Sequence, residues 1–473
     1  MERPNRQPRP HLELVSEVAA GAAPLEPAAS SAQPARSRTR LAQAKRQSLR
    51  TAHRAKRTSM SLLFIPFFAI YVVVDAVREL SDWIARKRQQ DLQRRPQFRR
   101  PDTMPPLGER SMEDVVSVVE SFPFRPVVGS AQATFFRDNG ADAIGALLSP
   151  NPQVTTIPHM YPPPFQHRLF VGSEGERIAG MQAMHDHVGP AVIICHGLLM
   201  TKHFDVIIQM ARRAFESWGF HVVTIDLRGW GQSAWTTEAP SSAGFHEGRD
   251  ILEIARELHR DPRVTSVGAI GYSMGGSSVL GAAHQSSGSI DRPLDGGAVT
   301  VSAPTDIAMA LEHISKKPHW RDPFFVLWNI FRAAIRGTVR QKNLDRSLST
   351  WIDLVEATSI EHYGISMEEF CRQASAKEFA ADIEMPVLAL HSEDDFLVPV
   401  DHAELLADVT KDNPWVHVMV RSAGAHVAFA AADPSWFHST VRCWLEYWAT
   451  PGQARAQTSF KDFGDEQLAD EIV

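Results

Sequence analysis

The chain has 473 residues, of which 44% are hydrophobic and 22% are charged, and its formal net charge is −6 at pH 7. This length allows one large hydrophobic core with extensions, and the mild negative charge argues against a protein whose whole surface binds nucleic acid. The three cysteines, Cys195, Cys371 and Cys443, are odd in number and far apart. They form no disulfide framework and favour a reducing compartment for the main domain.

The composition of the N-terminal part of the chain changes from polar and basic to apolar at about residue 60. Residues 1–59 are rich in Ala, Pro, Ser and Arg, with twelve Lys/Arg against four Asp/Glu, and this composition predicts a disordered basic tail. We do not expect the tail to bind nucleic acid, since it lacks interleaved aromatic residues and any recognised fold. The stretch LLFIPFFAIYVVV (62–74) then carries no charge.

We interpret residues 60–78 as a membrane anchor whose basic flanks lie at anionic head groups. A helix over the thirteen uncharged residues would span about 20 Å, against roughly 30 Å of bilayer hydrocarbon, so the anchor dips into the membrane or only marginally spans it. The alternative is a core helix of a small N-terminal subdomain. Residues 79–159 are predicted to be a linker with a helical extension.

Residues 160–450 alternate between apolar strand patterns and helical patterns, followed by a C-terminal tail at 451–473. The predicted elements are a hairpin at 167–184, strands within 190–197, 220–233, 264–270, 296–304, 385–395 and 415–424, and helices at 204–219, 248–261, 277–285 and 435–448. Because most of these strands are apolar throughout, we predict a mainly parallel sheet covered by helices on both faces.

A serine between glycines follows the strand predicted at 264–270. In AIGYSMGG (269–276), the Gly-x-Ser-x-Gly spacing suits a strand that turns abruptly into a helix, where a larger side chain at either glycine would collide with the neighbouring chain. An ordinary Gly/Ser loop is the alternative. The strand before and the small-residue helix after it favour the tight turn, with Ser273 as a nucleophile.

A helical insertion is predicted at about 306–383, between two strands of the sheet. Its centre at 321–340 predicts an amphipathic helix that starts after Asp322-Pro323. Its apolar face comprises Phe324, Leu327, Trp328, Phe331 and Ile335, and its basic face comprises Arg332, Arg336 and Arg340. We expect this helix to pack on the core with a solvated arginine face. The alternative is a helix that borders the site and rests its arginines against lipid head groups.

Acidic residues and a histidine follow the last two predicted strands. A serine hydroxyl is a poor nucleophile unless a base takes its proton, and the base needs an acid to fix its tautomer. LHSEDDFLVP (390–399) supplies Asp394 or Asp395, and SAGAHVAF (422–429) supplies His426. We expect Glu393 to lie in solvent.

Residues 160–448 resemble the α/β-hydrolase superfamily, whose triad runs in the order Ser, Asp or Glu, His. The resemblance rests on HGLL (196–199), DLRGWGQS (226–233), GYSMGG (271–276) and DFLVP (395–399). The chain is most similar to the branch with an N-terminal membrane segment, the embryogenesis-associated hydrolases and bacterial esterases like them. This resemblance implies an α/β-hydrolase fold with a helical cap insertion.

The resemblance also assigns the catalytic roles. It implies that Ser273 is the nucleophile and His426 the base that later protonates the leaving group. It implies Asp395 rather than Asp394 as the acid, because the family's Asp-x-φ-Val-Pro spacing falls on Asp395.

The resemblance further implies an oxyanion hole built from the backbone N–H groups of Leu198 and Met274. His196 is expected to shape the oxyanion loop rather than act as a base. One departure concerns the histidine loop. Related esterases often have Gly-Gly-His, whereas this chain has Ala425 before His426, and the added methyl group is expected to affect rate rather than the triad.

The expected activity is hydrolysis of carboxylic esters, with lipid-like acyl groups, through an acyl-enzyme and without a cofactor or metal. No phosphate-binding or dinucleotide motif is apparent, and His185 and His187 have no partner at metal-ligand spacing. Two alternatives remain, acyl transfer to an alcohol on the same triad and a catalytically silent membrane-bound interaction module.

The expected partners are a small-molecule or lipid ester and a membrane surface, with no nucleic acid. The expected localisation is membrane-associated, with the catalytic domain on the cytoplasmic side because its cysteines are unpaired. Basic flanks on both sides of residues 60–78 leave the orientation undecided by positive charge.

Overall fold

The computed structural model describes residues 110–127, 129–132, 134, 161–320 and 324–449. The predicted tail at 1–59, the anchor at 60–78 and the C-terminal tail at 451–473 lie outside these residues. Within the described ranges, no helix combines the length and the apolar character needed to cross a membrane.

An eight-stranded sheet organises the described part of the chain. The strands are β1 (Gln166–Val171), β2 (Arg177–Ala183), β3 (Gly189–Cys195), β4 (His221–Ile225), β5 (Val264–Tyr272), β6 (Ala298–Val301), β7 (Val387–Ser392) and β8 (Val416–Arg421). Their spatial order is β1-β2-β4-β3-β5-β6-β7-β8. The strand β2 runs antiparallel to β1 and β4, and the other neighbouring pairs are parallel. The predicted mainly parallel sheet is therefore confirmed.

Helices precede, connect and follow these strands. They are α1 (Met112–Ser121), α2 (Asp205–Arg212), α3 (Ser233–Thr236), α4 (Phe245–His259), α5 (Met274–Ser287), α6 (Ile307–Ser315), α7 (Phe324–Gln341), α8 (Trp351–Val355), α9 (Glu361–Tyr363), α10 (Met367–Ala374), α11 (Asp401–Val409), α12 (Phe429–Ala432) and α13 (Pro434–Trp448). Single turns of π-helix follow α2 at Arg213–Ser217 and α8 at Glu356–Ile360, and short 3₁₀ turns lie at Ala376–Glu378 and Ala380–Asp382.

The central strands are buried on both faces, which explains their uninterrupted apolar sequences. Every residue of β4 and β6 is buried, and so are all but one in β3 and in β5. Two hydrophobic clusters lie against the sheet, and the residues of β3 divide between them, as alternate side chains of a strand must. The core therefore lies on both faces of the sheet, as the apolar strands predicted.

The strand β6 is shorter than the sequence pattern at 296–304 predicted. Gly297 has φ +78° on one side of it and Ser302 has φ +53° on the other. Both residues occupy the left-handed region, which interrupts an extended run. The residues beyond each turn are also buried, which explains why the sequence pattern extends past the strand. Gly297 and Ser302 still bond the neighbouring strands, because the Gly297 carbonyl accepts the N–H of Ala269 and the N–H of Ser302 donates to the carbonyl of Leu390.

Helices α6 to α10 form the insertion between β6 and β7. On α7, the side chains of Phe324, Trp328, Phe331 and Ile335 are buried at helical spacing, as predicted. One arginine of α7 departs from the predicted solvated basic face. The guanidinium carbon of Arg332 lies 5.0 Å from the centre of the Trp328 ring, because the negative face of the ring attracts the cation. Arg336 is exposed, and the side chains of Leu327 and Arg340 lie outside the described part.

His402 anchors the chain where it enters this insertion. Its imidazole is fully buried, and Nδ1 accepts the backbone N–H groups of Thr305 at 3.1 Å and Asp306 at 3.3 Å. The Asp306 carboxylate in turn accepts the N–H groups of Ala308 and Met309 in the first turn of α6. Burial lowers the pKa of His402 to about 4. The native state thus requires the neutral ring.

We expect His402 to make folding stability sensitive to mild acid. An unfolded histidine has a pKa of about 6.5, so its contribution to stability is full above pH 6.5 and is lost as the pH falls towards 4, by about 3 kcal/mol in total. Urea unfolding at pH 7.5 and pH 5 measures this slope. His402→Asn keeps an oxygen acceptor without the titration and should give a shallower slope, while His167→Asn on the exposed face of β1 should not. An unchanged slope in His402→Asn would contradict the assignment.

Candidate active site

Ser273 is the single residue between the end of β5 and the start of α5. Its backbone has φ 54° and ψ −121°, a conformation that costs free energy for a residue with a side chain. Its N–H donates to the carbonyl of Val301 at 2.8 Å, and its own carbonyl accepts the N–H of Gly276 at 2.7 Å. These bonds hold the turn, so the hydroxyl is presented where the strand meets the helix.

Three glycines around Ser273 leave no room for a side chain. A Cβ atom added to Gly271 would lie 2.2 Å from the carbonyl oxygen of Gly275. One added to Gly275 would lie 2.5 Å from the carbonyl oxygen of His196, and one added to Gly276 would lie 2.7 Å from the Cβ of Ala303. The Gly-x-Ser-x-Gly-Gly pattern is therefore a steric requirement of this turn.

Asp395 and His426 form a buried pair after β7 and β8. Nδ1 of His426 lies 3.0 and 3.2 Å from the two carboxylate oxygens of Asp395. One of these oxygens also accepts the N–H groups of Leu397 and Val398. Burial raises the pKa of Asp395, but the His426 ring and these bonds outweigh burial and hold that pKa below its usual value. An ionised Asp395 fixes the tautomer of His426 with its proton on Nδ1 and leaves Nε2 to act as a base.

The topology brings Ser273 and His426 to the same edge of the sheet. Strands β5, β6, β7 and β8 are parallel neighbours, so the residues that follow them meet at the carboxyl ends of the strands. The N–H of Val427, next to His426, donates to the hydroxyl of Ser302 at 3.4 Å. Ser302 follows Val301, whose carbonyl accepts the N–H of Ser273. The turns that carry Ser273 and His426 are thus joined through the end of β6.

His196 supports the loop that carries Leu198. Its Nε2 accepts the N–H of Leu227 at 3.1 Å, and its Nδ1–H donates to the carbonyl of Gly197 at 2.8 Å. Burial lowers the pKa of His196, which keeps the ring neutral for both bonds. The histidine is therefore committed to shaping the loop. A Cβ atom on Gly197 would lie 2.9 Å from the Cβ of Ser273, so this loop passes directly beside that serine.

Met274 is the first residue of α5, and N–H groups in the first turn of a helix have no intrahelical acceptor. They also lie at the positive end of the helix dipole. The N–H groups of Leu198 and Met274 accordingly remain the predicted donors to an oxyanion.

Asp394 has a different role from that of the acid, for which the sequence offered it as the alternative to Asp395. Its Oδ1 accepts the N–H groups of Gly424 at 2.9 Å and Ala425 at 2.8 Å. The carboxylate therefore holds the loop that precedes His426, and Asp395 makes the contact with the imidazole. Sequence reasoning missed this role because the partners are thirty residues away along the chain and are backbone groups, which leave no mark in the sequence.

Ala425, the departure from Gly-Gly-His, adopts φ +44°. A glycine would take this conformation without strain. Ala425 is fully buried and belongs to a small apolar cluster with Ala131 and Ala432, so the structure has a place for its methyl group. Gly424 has no such space, since a Cβ atom there would lie 2.6 Å from the Phe429 ring.

His185 and His187 make contacts outside the site. The His185 ring stacks on Phe215 with centroids 3.8 Å apart, and Nε2 of His187 lies 3.3 Å from the carbonyl oxygen of Gly219. In the part of the chain that the structure describes, no three His, Cys, Asp or Glu side chains are grouped to hold a metal.

A parallel sheet of this order, with a strained serine turn and an acid–histidine pair at its carboxyl edge, defines the α/β-hydrolase class. The family model described as alpha/beta hydrolase fold matches residues 190–432, slightly more than half of the chain. The chain belongs to this family.

Solved structures with a similar chain path include esterase Pf2001 of Pyrococcus furiosus, with 16% identity over 60% of this chain and 92% of that chain, and a TM-score of 0.43. A puromycin-hydrolyzing peptidase of Mycobacterium tuberculosis has 16% identity over 60% of this chain and 39% of its own, with a TM-score of 0.43. A 2,6-dihydroxy-pseudo-oxynicotine hydrolase has 15% identity, with coverages of 60% and 68% and a TM-score of 0.43. No curated protein matches the sequence.

We expect Gly275→Ala to destabilise the fold by about 1–3 kcal/mol, because the added methyl group would overlap two backbone carbonyls of the neighbouring strand end. Urea unfolding measures the change. Gly288→Ala at the end of α5 is the matched control, because its nearest neighbouring atom would lie 3.9 Å away and its φ is −81°. A loss of stability in Gly288→Ala as large as in Gly275→Ala would refute the steric argument.

Proposed function

We propose that this protein is a serine hydrolase that cleaves carboxylic esters through an acyl-enzyme. The observation that carries the proposal is the buried Asp395–His426 pair, in which Nδ1 lies 3.0 Å from the carboxylate, beside the strained turn at Ser273. Both the strain and the burial of an ionised carboxylate cost stability, and such costly features cluster at functional sites. Such a combination is typical of a catalytic site.

The proposed reaction begins when His426 Nε2 takes the proton of the Ser273 hydroxyl. The serine oxygen attacks the carbonyl carbon of the ester, and the N–H groups of Leu198 and Met274 stabilise the resulting oxyanion. The tetrahedral intermediate collapses, and His426 gives its proton to the departing alcohol. Water then attacks the acyl-enzyme with His426 again as the base, which releases the acid and restores Ser273. Asp395 stabilises the imidazolium in both halves of the reaction.

We further propose that the acyl group is lipid-like. The buried aromatic side chains of α7 belong to the same hydrophobic cluster as Val427, next to the base. Leu198 of the oxyanion loop and Phe396, next to the acid, pack against that cluster. An apolar acyl chain that extends from the reacting carbonyl would therefore contact apolar side chains such as Leu198 and Phe396. Its free energy there is lower than in water.

We expect Ser273→Ala and His426→Ala each to lower kcat/KM for ester hydrolysis by at least 1000-fold, because the triad acts as a unit. Nitrophenyl esters of graded acyl length measure the rates, and a fluorophosphonate probe reports the activated serine without knowledge of the substrate. The parent protein should prefer the longer chains. Ser277→Ala, whose hydroxyl is committed to the Pro304 carbonyl one turn along α5, is the matched control for a serine. Hydrolysis by Ser273→Ala at the parent rate would refute the mechanism.

We propose, finally, that residues 60–78 attach the protein to a membrane with its catalytic domain on the cytoplasmic side. The support is the uncharged apolar run at 62–74 with its basic flanks. The full chain should sediment with membranes after lysis. Replacement of Phe64, Phe67 and Phe68 by Asp should release it in active form. Recovery of the unaltered chain entirely in the soluble fraction would favour the core-helix alternative for this segment.

A further inference from the structure

A segment N-terminal to the family match lies against the loop that carries the catalytic histidine. We call residues 124–127 and 129–132 the strap. The N–H of Arg125 donates to the Asp433 carboxylate at 2.8 Å, and the N–H of Val127 donates to the carbonyl of Ala432 at 3.0 Å. The hydroxyl of Ser130 donates to the carbonyl of Ala431 at 2.8 Å. The strap is thus bonded along α12, immediately after the histidine loop.

The strap also reaches the residues that hold the histidine loop in place. The side-chain amide of Gln132 donates to Oδ2 of Asp394, while Oδ1 of the same carboxylate accepts the N–H groups of Gly424 and Ala425. The side chain of Ala131 belongs to the same small buried cluster as Ala425 and Ala432. A polar connection through Asp394 and a shared apolar cluster therefore link the strap to the residue before His426.

Ala425 needs such support because of its backbone conformation. A residue with a Cβ atom disfavours φ +44°, and Ala425 would relax if its peptides were free. Both of its peptide groups are bonded, since Asp394 accepts its N–H and the hydroxyl of Ser392 donates to its carbonyl at 2.7 Å. Relaxation at Ala425 would rotate the chain that leads directly into His426.

We propose that the strap positions the catalytic base, with Asp394 and Gln132 as positioning residues that act through Ala425. This inference rests on the proposed hydrolase function of Ser273 and His426. The strap contributes no atom to the reaction. It fixes where His426 lies, and a displacement of about 1 Å at a catalytic group can cost 100-fold in rate.

The first test compares two substitutions of Asp394 in the full chain. Asp394→Asn keeps an oxygen for the two N–H groups, and its amide N–H can donate to the Gln132 oxygen once the Gln132 amide turns over, so kcat should stay within about threefold. Asp394→Ala removes both connections and should lower kcat about 10- to 100-fold with little change in KM. Labelling of Ser273 by the fluorophosphonate should slow by the same factor, because His426 activates the serine. Glu393→Gln, at the exposed neighbouring residue, is the matched control and should behave as the parent does.

The second test uses the strap itself. Gln132→Ala should lower kcat about 3- to 10-fold, and the double variant with Asp394→Ala should be no slower than Asp394→Ala alone, because both substitutions interrupt one connection. Ser121→Ala is the control, because this exposed hydroxyl at the end of α1 bonds only within its own helix. Circular dichroism at the assay temperature checks that each variant is folded, and Gln132→Ala serves if Asp394→Ala does not fold.

The outcomes separate this inference from the function on which it depends. Parent-like kcat and labelling in folded Asp394→Ala and Gln132→Ala would overturn the positioning role and leave the hydrolase proposal intact. Equal losses in Asp394→Asn and Asp394→Ala would also overturn it, because the acceptor oxygen would then not matter. Absence of labelling and ester hydrolysis in the parent would overturn both.

Discussion

The chain must reverse direction within one residue between β5 and α5, and the active-site edge of the molecule is arranged around that turn. Ser273 carries the strained dihedral angles, Val301 accepts its N–H, and the glycines on either side allow the helix to press against the strand. The strain costs free energy that the buried sheet around the turn offsets. A sheet with a looser centre would let the serine relax, and the hydroxyl would lose its fixed position.

Buried polar groups hold the loop that carries Leu198 against the turn at 226–233. The Lys202 ammonium lies 2.5 Å from the Asp226 carboxylate, and both side chains are almost fully buried. Asp226 also accepts the N–H of Gln232, and His196 accepts that of Leu227. Loss of either charge would leave the other unpaired in the interior, which is far costlier than loss of a surface pair. The motif at 226–233 is therefore a structural support for the loop that carries Leu198.

The sequence predicted the features that depend on neighbouring residues. Strand burial, the glycine requirement at Ser273 and the aromatic face of α7 each follow from a local pattern, and the structure agrees with them. The contacts of Asp394 with Gly424 and of Gln132 with Asp394 join residues 30 and 262 positions apart. No local pattern encodes such pairs. The left-handed conformation of Ala425 was equally hidden, because an alanine at that position suggests an ordinary turn.

The bonds between the strap and α12 give the molecule a mechanical asymmetry. Tension that enters the described part of the chain from its N-terminal side is borne first by Arg110 and Ser111, which bond the end of α13, and by Glu120, which pairs with Arg421 on β8. Only beyond these contacts does it reach the strap, whose bonds lie at the start of α13 and the end of α12, close to His426. Ser273 lies at the end of a strand with paired neighbours on both sides, so the same load reaches it only after it has spread across the sheet. A pull on this end would therefore have to break the contacts of α1 before it moved the loop at His426, so α1 shields that loop from strain in the chain that precedes it.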